Sequence, residues 1–122
     1  MTVSFRRTVP VLRVFDKTKA HEFYVNYLGC AVDWEHRFAA GMPAYTQVSR
    51  GALVLHLSEH HGDGTPGSAV YIELDGVREL HTELLGKNYP YLKPGLEEDE
   101  IGLSVTLLDP FGNQLRLSQP AD

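Results

Sequence analysis

Leu55-His56-Leu57-Ser58-Glu59 (LHLSE) returns as Leu115-Arg116-Leu117-Ser118-Gln119 (LRLSQ), at an offset of 60 residues. Both runs alternate apolar and polar residues, the mark of a half-buried strand. Upstream, a run ending at Asp16 (VPVLRVFD) has a counterpart ending at Asp75 (SAVYIELD), at an offset of 59. Behind each aspartate a helical pattern closes on Leu-Gly, at Leu28-Gly29 and at Leu85-Gly86. Three landmarks at almost one offset argue for an internal duplication. The chain reads as one domain, 1–122, made of module one (1–60) and module two (68–122). The turn-rich linker 60–68 (HHGDGTPGS) joins them.

Inside each module the order is strand, helix, strands. Val9–Val14 is apolar and β-branched, and Asp16 or Thr18 suits a helix N-cap. Ala20, Phe23, Tyr24, Tyr27 and Leu28 then recur at helical spacing, and Gly29 suits the left-handed residue that ends a helix. Strands are expected at Ala31–Glu35, Ala44–Ser49 and Leu53–Ser58. Module two repeats the plan with Ala69–Leu74, a helix over Val77–Leu85, a weak strand near Tyr89–Leu92, then Leu103–Leu107 and Gln114–Ser118. Asp109-Pro110-Phe111-Gly112-Asn113 is the hairpin between the last two. Glu97-Glu98-Asp99-Glu100 reads as a solvated acidic loop. The class is α+β: two tandem βαβββ modules forming a curved mixed sheet, with the helices on its outer face.

Composition narrows the function. The 122 residues are 43% hydrophobic and 22% charged, ordinary for a globular domain. The net charge is −5 and no Lys/Arg block occurs, which argues against a nucleic-acid partner and mildly favours a cationic ligand. Cys30 is the one cysteine, so no internal disulfide forms; it follows a helix-ending glycine and reads as a buried thiol. After Arg6 and Arg7 no uninterrupted apolar run follows, so neither a signal peptide nor a membrane span is expected, and the cytoplasm is the default.

Splitting strands into their two faces locates a candidate site. One face is aliphatic: Leu12, Val14, Leu53, Leu55, Leu57, Val70, Ile72, Leu74, Leu115 and Leu117. It must pack on the helices. The other carries Arg13, His56, Ser58, Tyr71, Glu73, Gln114 and Arg116 among small apolar residues. Water alone would account for a polar face. Aromatic, imidazole, guanidinium and carboxylate groups together suit a ligand cleft better.

The repeat, the run Val14, Asp16, Ala20, Phe23, Tyr24 with Leu28-Gly29 behind it, and the D-P-x-G-N hairpin (Asp109, Pro110, Gly112, Asn113) resemble the glyoxalase / bleomycin-resistance / dioxygenase superfamily, the vicinal oxygen chelate proteins. The resemblance covers essentially the whole chain. It implies that four cleft positions would carry His or Glu metal ligands in the enzymes, and here these fall on Val9, His56, Ala69 and Arg116. A divalent metal needs lone-pair donors, and only His56 offers one. No metal, other cofactor or catalytic residue is therefore expected. The resemblance instead implies a binder like the bleomycin-resistance proteins of the superfamily, which act in antibiotic resistance. Those are homodimers that sequester a cationic glycopeptide in grooves shared by the subunits, and subunits of the superfamily can exchange halves at the linker. Trp34, Phe38, Tyr45, His56, Tyr71, Glu73, Tyr91 and Arg116 are the candidate ligand-binding residues, through stacking, cation–π contact and charge pairing. Trp34 suits core and cleft equally, and Arg116 suits a cationic ligand only if a carboxylate such as Glu73 neutralises it. The alternative is an enzyme of the same superfamily, a lyase, isomerase or dioxygenase. It would have a relocated metal at His56, Glu59, His60 or His61, or use His56 and Glu73 as an acid–base pair. His60, His61 and Asp63 read more simply as a surface loop, and His21 as a surface residue.

Overall fold

Each module builds a four-stranded mixed sheet around the strand that carries the repeat. The computed structural model describes residues 2–122. In module one, β1 (Val11–Arg13) leads into helix α1 (Lys17–His21), and β2 (Ala31–His36), β3 (Tyr45–Arg50) and β4 (Leu53–Ser58) follow. Module two runs β5 (Ala69–Glu73), α2 (Val77–Gly86), β6 (Glu97–Glu98), β7 (Gly102–Leu108) and β8 (Gln114–Pro120). The strand orders match, β1-β4-β3-β2 and β5-β8-β7-β6. In each sheet the first strand pairs parallel with the last and the others pair antiparallel. The expected mixed sheet is thus present as two sheets of one design. The duplication reaches the register: Val11 faces His56 and Tyr71 faces Arg116.

The aliphatic strand faces form the core. Leu12, Val14, Leu55 and Leu57 join Leu107, Leu115 and Leu117 and the helix residues Phe23, Tyr24, Tyr27, Leu80 and Leu84 in one buried cluster. Asp16 caps α1, its carboxylate accepting the Lys19 amide at 3.0 Å. From Glu22 to Tyr27 the helix widens into a π-helical segment, with the Leu28 amide donating to Phe23 O at 2.8 Å. Gly29 then leaves the helix at φ +84°, where an L side chain would be strained. The start of α2 has no side-chain cap of its own. Gln119 of β8 supplies one, its Oε1 accepting the Gly76 and Val77 amides at 3.1 Å.

Side chains of module one are anchored in module two. The Tyr24 hydroxyl donates to Asp109 Oδ2 at 2.5 Å, and Asn113 Nδ2 donates to Arg13 O at 3.0 Å. Asp109 Oδ1 accepts the Phe111 and Asn113 amides, both at 2.8 Å, so the D-P-x-G-N hairpin is a folded knot that grips the first module. In the linker, a side chain at Gly64 would meet Val11 O at 2.8 Å, so the chain crosses β1 at glycine distance.

Two expectations need correcting. Tyr89–Leu92 is not a strand, because Pro90 lacks the amide a ladder needs. The edge strand is Glu97–Glu98, inside the stretch read as an acidic loop, with Glu97 opposite Ser104. Its exposed carboxylates are the charge that edge strands tolerate. No helix among the described residues is long and apolar enough to cross a membrane.

Candidate functional site

The polar strand faces stay open. On the first sheet, β3 turns Tyr45, Gln47 and Ser49 to the open side, beside His56 of β4, which lies directly opposite Gln47. Edge strand β2 has a register shift between Val32 and Trp34. Such an irregularity re-aims side chains, and Trp34 stacks on Tyr45 with centroids 5.9 Å apart and planes 10° from parallel. It also meets His56 edge-on at 5.3 Å, and Tyr45 meets His56 at 5.1 Å. Trp34 is 43% exposed, so it belongs to the open face and not to the core.

A chain of hydrogen bonds runs beneath these rings. Gln47 Nε2 donates to Asp33 Oδ2 at 3.0 Å, and Ser49 Oγ donates to Asp33 Oδ1 at 3.0 Å. These two donors hold the Asp33 carboxyl below the usual carboxylate range, Gln47 contributing more. With its amide nitrogen committed to Asp33, Gln47 turns its carbonyl oxygen to His56 Nε2, at 3.0 Å. An amide oxygen only accepts, which assigns the imidazole proton to Nε2. Nδ1 keeps the lone pair and accepts the Tyr45 hydroxyl at 2.8 Å. Burial, and then the Arg7 guanidinium, push the imidazole pKa down, in keeping with a neutral ring. Arg7 itself reaches Gln47 Oε1 at 3.4 Å.

The second sheet presents Tyr71, Glu73 and Arg116 on its open side. A hollow of about 400 Å³ there has Tyr71, Ile101, Thr106, Arg116 and Ser118 in its walls. Glu73 does not neutralise Arg116. The register sets Arg116 opposite Tyr71 and Glu73 opposite Ser118, and Arg116 Nη2 donates to Gln114 Oε1 at 3.4 Å. Tyr71 is 58% exposed, a large ring with little of its surface covered.

The eight candidate residues therefore do not form one cluster. Trp34, Tyr45 and His56 share the first open face; Tyr71, Glu73 and Arg116 share the second. Phe38 stands in the β2–β3 loop against His36, 5.2 Å between centroids. Tyr91 lies apart, on the helix side, beside Tyr89 and in a hollow with Lys19 and Glu22. Gln47, Asp33 and Ser49 were missed. Gln47 and Ser49 were legible, since they alternate with Val48 on the strand that bears Tyr45. Asp33 was not, because the register shift beside it breaks the alternation on which such a reading depends.

The superfamily's metal does not fit these residues. Val9 and Ala69 have no donor atom, and Arg116 brings a cation. The lone pair of His56 is already taken by Tyr45. Nor do the relocated sites fare better. Glu59 accepts the Ala44 amide at 3.0 Å, and no group of three His, Cys, Asp or Glu residues stands together among the described residues. His56 and Glu73 sit on different sheets. What the first face offers chemically is a stacking surface of two parallel rings with a carboxylate beside it.

A family model described as "Glyoxalase superfamily protein" matches residues 1–122. No curated protein sequence matches the chain. Among solved structures, the bleomycin-binding protein of bleomycin-producing Streptomyces verticillus, complexed with copper(II)-bleomycin, is 26% identical, with TM-score 0.72 over 98% of this chain and 100% of that one. A bleomycin-binding protein complexed with bleomycin is 25% identical, with TM-score 0.72 over 96% and 100%. TnmS3, an antibiotic binding protein from Streptomyces sp. CB03234, is 17% identical, with TM-score 0.73 over 98% and 100%, a likeness of fold alone.

Proposed function

Since this chain belongs to the glyoxalase superfamily, we propose that it binds and sequesters a small molecule on its open sheet faces, without chemistry of its own. The ligand we favour is a cationic, aromatic-bearing antibiotic of the bleomycin kind. One observation carries the reading: the single possible donor at the four metal positions is tied up, while beside it Trp34 stays exposed and Tyr45 half-buried. His56 serves as a wall of the Trp34–Tyr45 stack and not as a ligand. Flat rings and cations are what Trp34, Tyr45 and the Asp33 carboxylate take up best. Two relatives at 25% and 26% identity are named for binding bleomycin, which supports the ligand class.

Arg116 enters this reading as a contact for an anionic or carbonyl group of the ligand, since Glu73 leaves it free. We further propose that the protein is a homodimer in the cytoplasm. In it the first open face of one copy meets the second open face of the other, and each face contributes half a groove. The exposed rings of Trp34 and Tyr71 would then be covered by ligand and partner together.

Calorimetric titration with metal-free and copper-loaded bleomycin tests the ligand. Saturable heat that falls at least tenfold in Trp34→Ala is expected. Absence of heat at high micromolar drug removes bleomycin as the ligand. Stoichiometric zinc, nickel or iron in protein purified without chelators would favour the enzyme reading instead.

A further inference from the structure

A second cavity lies on the opposite side of the first sheet. It has a volume of about 230 Å³ and sits between the first helix and strands β2 and β3. Val14, Ala20, Val25, Val32, Val48 and Leu57 make its walls mostly apolar, with Thr46 among them and Lys17, His21, Glu35 and Glu59 also lining it. Strand alternation separates it from the face described above, because Ala44, Thr46 and Val48 point one way and Tyr45 and Gln47 the other.

The sequence accounts for the gap. The first helix spends its large side chains on the second module. Tyr24 bonds Asp109, and Phe23 and Tyr27 pack on Tyr89 at 5.9 and 4.5 Å. Ala20 and Val25 are the apolar side chains of the helix left to face β2 and β3, with Lys17 and His21 also lining the hollow. The two apolar chains are too short to reach the sheet. Protein interiors are close-packed and hold few voids larger than a water molecule. This hollow opens to water beside the exposed Val32, and its apolar lining lacks the contacts that a filled site would give it.

At its mouth the lysine, arginine and glutamate charges are already matched to one another, and the exposed His21 imidazole stands beside them. Lys17 Nζ lies 2.9 Å from Glu35, and Arg37 Nη2 lies 3.6 Å from Glu35 and 3.8 Å from Glu59. Glu59 also accepts the Ala44 amide. A charged guest would have to break one of these pairs, so the occupant that fits is neutral. Its size is bounded too. An apolar cavity of about 150 Å³ takes benzene, and drug-sized sites start near about 300 Å³. From walls, mouth and volume together we infer that this cavity is a second binding site, for a neutral, compact aromatic or alicyclic molecule of bicyclic size.

Indole is a suitable probe, followed by methyl NMR at Val25, Val32, Thr46 and Val48. Saturable shifts there are expected, with tryptamine and indole-3-carboxylate, its cationic and anionic relatives, binding at least tenfold more weakly. Val25→Phe places a ring in the gap and Thr46→Ile fills it from the sheet. Either variant should weaken indole at least tenfold, so one that fails to fold leaves the other to decide. The site is overturned by absence of methyl shifts at millimolar indole, by shifts confined to the aromatic and amide signals of Trp34 and Tyr45 recorded on the same samples, or by undiminished binding in a folded filled variant. Equal binding of the charged relatives overturns the assignment to neutral guests.

Discussion

Tyr24 and Tyr27 lie one helical turn apart, both buried, and their hydroxyls meet opposite fates. Tyr24 donates to the buried Asp109 carboxylate, and burial first, then that carboxylate, raises its pKa. Tyr27 Oη has no partner among the described residues, and burial pushes its pKa up to about 12. Bonds to charged groups contribute about 1.5–3 kcal/mol, whereas an unmet buried hydroxyl is itself a cost. Tyr24→Phe should therefore lose about 1.5–3 kcal/mol in urea unfolding, while Tyr27→Phe should be neutral or stabilising. Equal losses would mean that the rings matter and the hydroxyls do not. His56 gives a residue-scale test in pH. Its folded pKa lies below the usual value of about 6.5, so the unfolded chain takes up the proton first as pH falls. The stability tied to this ring is complete above about 6.5 and is lost as pH falls through the folded value. The Tyr45 hydroxyl favours the neutral ring by donating to Nδ1. Tyr45→Phe should accordingly raise the His56 pKa in an NMR titration, and an unchanged or lower value would remove Tyr45 from the assignment.

Among the elements, α2 carries a direct comparison of polar and apolar anchoring. Glu83 accepts both Arg50 guanidinium nitrogens at 2.9 Å, tying α2 to the end of β3. The pair is 41% and 37% exposed, so water and salt screen it. Glu83→Gln should cost less than about 1 kcal/mol, and the cost should shrink at high salt. Its neighbour Leu84 is 1% exposed in the core, and Leu84→Ala should cost about 2–5 kcal/mol by leaving a cavity. A larger loss for Glu83→Gln would reverse the view that the apolar face holds the helix. Most elements were legible for the same reason. The alternation that marked β4 and β8, and the Asp16 and Gly29 signals around the first helix, are local patterns that burial enforces. What escaped depends on partners distant in sequence. Glu97–Glu98 becomes a strand only because β7 lies beside it, and the register shift near Asp33 exists only in the pairing of β2 with β3. The π-helical turn has no local signal, since Phe23, Tyr24, Tyr27 and Leu28 read equally well as an α-helical stripe.

At the scale of the whole molecule, the proposed dimer follows from how the duplication divides the open faces. The two open faces carry different chemistry: stacked rings and a carboxylate on the first, and on the second an exposed tyrosine and an arginine with no ion pair among the described residues, in a hollow that Asp99 also lines. The hollow at Arg116 is walled by second-module residues, a groove with one side. The proposed dimer supplies the other side from its partner, and a two-fold axis makes two such grooves at once. Mixing then discriminates it from two independent half-sites. A first-face variant, Trp34→Ala with Tyr45→Ala, and a second-face variant, Tyr71→Ala with Arg116→Ala, should each bind bleomycin poorly alone. Unfolded and refolded together at equal ratio, they form heterodimers in which one groove collects every substitution and the other collects none. About a quarter of all grooves should regain full affinity if exchange is random. The measurement is calorimetric stoichiometry before and after co-refolding. Unchanged binding after mixing, with heterodimers demonstrated by native mass spectrometry, would confine each site to a single chain.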